Sequence, residues 1–240
     1  LVTGCAGFIG FSLCQSLVKN KNIKLYGIDN VNNYYDIKLK KDRLKILKQN
    51  KSFKFYKIDI EKNNLLKSNF KRNNYDYVIH LAAQAGVLYS IKNPRSYLES
   101  NIIGFFNIIE CSRMIKVKHF IYASTSSVYG DSFQFPLKEE YDTSSPQSFY
   151  AASKKTNEVM AYSYSSIYKL KTTGLRFFTV YGPFGRPDMA LFKFTKALLE
   201  NKKVTLFNNG NHTRDFTYID DITEAIRKLV LKPSKKKIPY

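Results

Sequence analysis

Three glycines spaced G-x-x-G-x-x-G, set between a strand end and an amphipathic helix, constrain this chain more than any other feature. The opening segment LVTGCAGFIGFSLCQSLVKN places Gly4, Gly7 and Gly10 ahead of Phe11, Leu13, Cys14, Leu17 and Val18, which recur at helical spacing. The apolar run IKLYGIDN follows and ends at Asp29, 19 residues after Gly10. Such glycines let the backbone turn tightly and approach a pyrophosphate at a helix N-terminus, where free amides and the helix dipole favour anions. Gly4, Gly7, Phe8, Ile9 and Gly10 are the residues expected against that ligand. A carboxylate at Asp29, with Asn30 beside it, can accept ribose hydroxyls and would repel a 2′-phosphate, which favours NAD over NADP. Taken alone, the glycine set also suits a purely structural turn; the flanking strand, helix and acid argue for the dinucleotide.

Strand and helix keep alternating after this start. FKFYKI (53–58) runs into Asp59 and Ile60. YDYVIHLAAQAGVLYS runs through Leu81 into the small-residue patch Ala82, Ala83, Gln84, Ala85, Gly86, with Leu81, Ala82 and Ala83 expected at the cofactor. Open α/β sheets bind ligands outside their C-terminal strand ends, so Asp59 and Ile60 are placed to flank an adenine. Capping the next helix is the alternative for Asp59. Small side chains at 82 and 83 would let cofactor and substrate approach the backbone. His80, inside an apolar run, reads as a core histidine.

Residues 36–50 form a basic helix with Ile37, Leu44 and Leu47 as its inward face. Residues 95–115 form a long amphipathic helix with Leu98, Ile102, Phe105, Phe106, Ile109 and Met114 on its apolar side. Alternation through residue 177 argues an α/β fold, a doubly wound parallel sheet (Rossmann fold). The pattern becomes irregular past Thr179. A dinucleotide domain over 1–178 and a smaller, partly missing substrate lobe over 179–240 are therefore expected. With no initiator Met, little strand before Gly4 and KPSKKKIPY as its last residues, the chain reads as a piece of a longer protein.

The chemistry is carried by residues 120–155: FIYASTSSVYG, a polar connection, then SFYAASKK. A buried strand ending in hydroxyls precedes a helix with Tyr150 and Lys154 one turn apart, hence on one face. A nearby ammonium favours phenolate and would lower the tyrosine pKa, as a tyrosine general base requires. Thr125 and Ser126 at the strand end can bond a substrate hydroxyl beside that base. The same spacing recurs at Tyr34 and Lys38, which follow no hydroxyl-rich strand end; context rather than spacing singles out Tyr150.

The formal charge of +20 raises nucleic acid or anionic membrane as partners. The lysines are scattered rather than clustered, so a solvated surface is the expectation, with no nucleic acid and no membrane bound. Cys5, Cys14 and Cys111 lack paired or metal-like spacing, which fits a reducing compartment, the cytoplasm. His80, His119 and His212 are too dispersed for a metal site, and none is expected.

TGCAGFIG, Asp29, HLAAQAGV, Thr125 in STSSVYG, the Tyr150–Lys154 pair and RDFTYIDDI together resemble the extended short-chain dehydrogenase/reductases that act on nucleotide sugars. DNVNNYYD, AAQAGV and LRFFTVYGPFGRPDMALFKFTKALLE make the chain most similar, within that family, to the UDP-glucuronate 4-epimerases that serve surface polysaccharide synthesis. Dehydratases of the family carry Asp-Glu after the threonine, and its decarboxylases carry Glu two places after it. Ser126 and Ser127 stand here instead, leaving a reaction with one proton shuttle and a reversible hydride transfer.

The resemblance implies Thr125, Tyr150 and Lys154 as catalytic residues, tightly held NAD and a UDP-sugar substrate. It also implies a homodimer through the helices at 95–115 and 150–168. Ser126, Ser127, Thr179 and Arg186 would hold a uronate carboxylate, and Arg214 would grip the nucleotide diphosphate. Leu88 departs from the arginine usual in close relatives. A non-catalytic NAD sensor on the same fold is the alternative from another class.

Overall fold

A computed structural model describes residues 1–132, 134–211 and 213–231. His212 and the final KPSKKKIPY lie outside the described residues.

Six parallel strands form the main sheet: β1 (Val2–Thr3), β2 (Leu25–Asp29), β3 (Phe53–Lys57), β4 (Tyr77–His80), β5 (His119–Thr125) and β6 (Thr172–Phe177). Their spatial order is β3-β2-β1-β4-β5-β6, so the chain builds outward from β1 first to one side and then to the other. Val2 pairs with Gly27 on one flank and Ile79 on the other, placing Gly4 between two strand ends. That reversal of direction is where a doubly wound sheet opens a crevice.

Helices cover both faces. On one, α1 (Phe8–Leu17) and α2 (Ile37–Lys48) bury Phe11, Leu13, Leu17, Leu44 and Leu47 against Val2, Ile79 and Ile121. On the other, α3 (Asn63–Asn73) packs Leu66 and Phe70 into a core with Phe120 and Tyr122. His80 is 2% exposed and its Nδ1 lies 2.8 Å from the Thr3 hydroxyl, so it is a core histidine, as expected.

The helix expected at 95–115 is built in pieces. After α4 (Val87–Lys92), α5 (Pro94–Tyr97) passes into a π-helical segment, Leu98–Ile103, and then α6 (Gly104–Met114). The wider turn shifts the helical phase. Phe105 and Ile109 are buried as expected, but Leu98, Phe106 and Met114 are exposed, while Asn101 and Asn107 take inward positions.

The 20-residue α7 (Phe149–Tyr168) follows β5 and a short 3₁₀ turn over Ser126–Tyr129. Ser148 caps it, its hydroxyl accepting from the Ala151 amide at 3.1 Å. Past β6, β7 (Thr179–Tyr181) leads to α8 (Ala190–Leu199) and β8 (Phe216–Tyr218), and β7 and β8 pair as a separate two-stranded parallel sheet. α9 (Ile219–Leu231) then returns to α1, burying Ile226 and Val230 beside Phe11 and Leu13. Among the described residues no helix is long and apolar enough to cross a membrane.

Candidate active site

A cavity of about 740 Å³ runs along the C-terminal ends of the main strands and under the residues after β7. Its floor begins at the glycine turn. Gly4 has φ +70°, and a Cβ there would sit 2.7 Å from the Ala82 amide nitrogen. One at Gly10 would sit 2.1 Å from the Gly4 carbonyl oxygen, so the turn closes only without side chains. Gly7, Phe8 and Ile9 complete this floor. Among the described residues no side chain caps the start of α1, which leaves its first amides to an anion.

Asp29 and Asn30 line the cavity at the end of β2. The Asp29 carboxylate accepts from the Ala6 amide at 3.0 Å and the Val31 amide at 2.8 Å. Burial raises its pKa, against those amides and the cations Lys40 and Arg43. Each oxygen keeps a lone pair for another donor. Ile60, Leu81, Ala82 and Ala83 also line the cavity. Asp59 does not: it accepts from the Asn30 side chain and the Glu61 amide, both at 3.0 Å. It orients Asn30, which lines the cavity.

Thr125, Ser126, Ser127, Tyr150 and Lys154 meet on one side of the cavity. The Thr125 hydroxyl donates to the Ser127 hydroxyl and accepts from the Ser127 amide, both at 3.2 Å, and it stands close enough to the Tyr150 phenol to bear on its pKa. The expected electrostatics of the tyrosine–lysine pair need correction. Burial pushes the Tyr150 pKa up; the Thr125 hydroxyl and the Arg186 charge act to lower it. Lys154, almost fully buried, instead donates to the Ala123 carbonyl at 3.0 Å, and burial lowers its own pKa to about 8. The four-residue spacing sets a shared face, but the β5 backbone captures the ammonium.

Thr179 and Arg186 line the same cavity, and Arg186 lies near enough to Tyr150 for its charge to act on the phenol. Arg186 is not a free cation. Its Nε donates to Asp188 Oδ1 at 3.0 Å and a second guanidinium nitrogen donates to Oδ2, which also accepts from the Tyr34 hydroxyl at 3.2 Å. Against burial, this guanidinium holds the Asp188 carboxyl below the usual range. Arg214 is not brought to the cavity. It is exposed on the approach to β8, and its guanidinium donates to the Thr213 carbonyl at 2.8 Å. Leu88 stands at the cavity edge, 65% exposed.

The family described as "NAD dependent epimerase/dehydratase family" matches residues 1–239. The chain belongs to that family. This epimerase/dehydratase is 52% identical to "Protein CapI" of Staphylococcus aureus, over 98% of this chain and 70% of that protein. It is 44% identical to the "Probable UDP-glucuronate 4-epimerase" of Rhizobium meliloti (strain 1021), over 95% of this chain and 67% of that protein. Among solved structures, UDP-glucuronic acid 4-epimerase from Bacillus cereus in complex with UDP-glucuronic acid and NAD superposes with a TM-score of 0.91 at 38% identity. That match covers 99% of this chain and 74% of the other.

The residues of the epimerase/dehydratase fit its cofactor: a side-chain-free turn, uncapped helix amides and a carboxylate with free lone pairs line one cavity. Two cations on its cofactor side went unread in the sequence. Lys40 lines the cavity, donates to the Asn32 carbonyl at 2.9 Å and lies 4.6 Å from the Tyr35 ring centroid. Arg43, one turn on, is fully buried. The signal was available: positions 40, 43, 44 and 47 share one helical face, so both cations are in phase with Leu44 and Leu47. Among the described residues no group of three or more His, Cys, Asp or Glu is placed to hold a metal.

Proposed function

We propose that this chain catalyses NAD-dependent C4 epimerisation of a UDP-sugar, and that the sugar is UDP-glucuronate, converted to UDP-galacturonate. The observation that carries this reading is what shares the cavity with the Thr125–Tyr150 pair: the hydroxyls of Ser126, Ser127 and Thr179, and the Arg186 guanidinium. An anionic substituent beside the reacting carbon suits that lining, and no acid follows Thr125 to drive loss of water. The names of the relatives support the same substrate.

In this reading Thr125 bonds the sugar 4-hydroxyl and Tyr150 takes its proton. The Thr125 hydroxyl and the Arg186 charge favour the phenolate that burial otherwise disfavours. NAD⁺, which the glycine turn and Asp29 would hold, would supply hydride acceptance from C4 and its return. The 4-keto sugar turns over between those events, so Tyr150 returns the proton to the opposite epimer. Ser126, Ser127, Thr179 and Arg186 hold the carboxylate meanwhile. The same reading takes the protein as a homodimer through α6 and α7, whose outer faces carry exposed Phe106, Val159, Tyr162 and Ile167.

An NMR product assay on the NAD-loaded, full-length protein tests the reading. UDP-galacturonate should form from UDP-glucuronate, and Tyr150→Phe should lower the rate by about 10²–10⁴-fold, the usual worth of a general base. Turnover of UDP-glucose or UDP-N-acetylglucosamine alone would overturn the substrate. Silence on all three with NAD bound would favour a sensor.

A further inference from the structure

We propose that Arg43 and Tyr34 are positioning residues that mount the Arg186 loop on the cofactor side of the cavity, and so govern what becomes of the substrate's carboxylate. The inference rests on the reading above. Arg43 is fully buried, and among the described residues no carboxylate hydrogen-bonds it. Its Nη1 donates to the Ala6 carbonyl at 2.8 Å and the Tyr35 hydroxyl at 2.7 Å. Its Nη2 donates to the Phe184 carbonyl at 2.6 Å. Among the described residues its buried Nε has no hydrogen-bond partner. A buried cation set on neutral acceptors, with one donor unsatisfied, is costly, and packing alone would favour an apolar side chain there.

What Arg43 holds is itself unusual. Phe184 has φ +59°, the left-handed region that a bulky residue rarely occupies, and its ring meets Phe11 edge-on at 5.0 Å. Two residues later Arg186 grips Asp188, and Asp188 accepts from the Tyr34 hydroxyl. Tyr34 and Tyr35 are neighbours in the link that leaves Asp29. One short stretch thus carries the ribose carboxylate and both fastenings of the loop across the cavity.

A 4-keto uronate is a β-keto acid. If its C5–C6 bond turns perpendicular to the carbonyl plane, that bond breaks and its electron pair passes to the C4 oxygen as an enolate. CO₂ leaves, C5 takes a proton from water, and the proton held by Tyr150 goes back to the C4 oxygen. The hydride removed at the start returns to C4 and gives a UDP-pentose. Arg186 on its mount holds the carboxylate away from that alignment.

Arg43→Lys and Tyr34→Phe in the full-length, NAD-loaded protein test this. Each should raise the pentose-to-galacturonate ratio by about fivefold, the worth of one hydrogen bond, with KM little changed. Hydrogen exchange at the Gly185 and Met189 amides, which close turns onto Gly182 and Arg186, should quicken in both. An unchanged ratio with unchanged exchange overturns the mount. If Arg43→Lys does not fold, Tyr34→Phe decides alone by the same two readouts. If the wild type makes no UDP-galacturonate, the substrate reading falls, and exchange alone then judges the mount.

Discussion

The two walls of the cavity are held by different forces. The wall at the strand ends, from the glycine turn through Asp29 to Thr125, stands directly on buried core: Phe11, Leu13 and Ile121 lie behind it. The wall formed by residues 179–193 is anchored in core at Val180, beside Phe8 and Ile219. Beyond that it rests on polar fastenings that cross the chain, Arg43 to Phe184 and Tyr34 to Asp188. Its helix α8 buries none of its ten residues among those described, although it is as rich in Leu and Phe as α1. The described residues thus leave the apolar face of α8 uncovered, whereas that of α1 meets the sheet and α9. A wall backed by core loses stability when cut, and a wall held by hydrogen bonds loses alignment.

The sharpest way to break this contrast is to remove core from behind the first wall. Phe11→Ala should cost about 3–5 kcal/mol, as buried aromatic truncations do. Phe11 is 0% exposed and also bears on Phe184, so both walls should suffer; thermal or urea denaturation measures it. A loss under about 1 kcal/mol would mean the wall does not lean on this core.

Lys154→Met should do the opposite at neutral pH. The folded pKa of Lys154 is lowered to about 8, below the roughly 10.4 of an unfolded lysine. Burial therefore penalises the charged form fully below the folded value of about 8, and the penalty fades as pH rises from there to about 10.4. The variant should gain at most about 3 kcal/mol at pH 7, little at pH 10 or above, and lose turnover. Stability equal to wild type at both pH values would refute the penalty. The smallest change is expected at Leu198, 70% exposed on α8. Leu198→Ala should stay within about 0.5 kcal/mol, and a core-sized loss there would show that α8 is covered in solution.

The same division decides what could be read from the sequence. The first wall is built from local spacing: the glycine turn, the acid closing β2, and a tyrosine and lysine one turn apart are all visible within short windows. Their placement around one cavity follows from strand alternation. The second wall depends on pairs more than a hundred residues apart, such as Tyr34 with Asp188, and no periodicity announces them. Arg43 was hidden for a different reason. A cation in a lysine-rich helix looks solvated, and only its phase with Leu44 and Leu47 betrays it. Arg214 shows the converse: a motif fixes the residue type, while the end of β8 decides where the side chain goes. The Tyr150 proton lay beyond reach as well, because spacing names the neighbour but not the carbonyl that Lys154 prefers.

The π-helical segment Leu98–Ile103 carries a consequence of another kind, for the reading frame of the helix. Inside it Asn101 fastens Gln84, Ser153 and Asn157 at once, through side chain and carbonyl together. Deleting a single residue here would turn the wide turn into a regular one and leave Phe105, Ile108 and Ile109 facing the core. What the deletion puts at risk is the placement of Asn101. The extra residue is thus both removable in principle and locked in practice. In a deletion scan along this helix, one-residue losses between 98 and 103 should keep the fold only where Asn101 still meets Gln84 and Ser153.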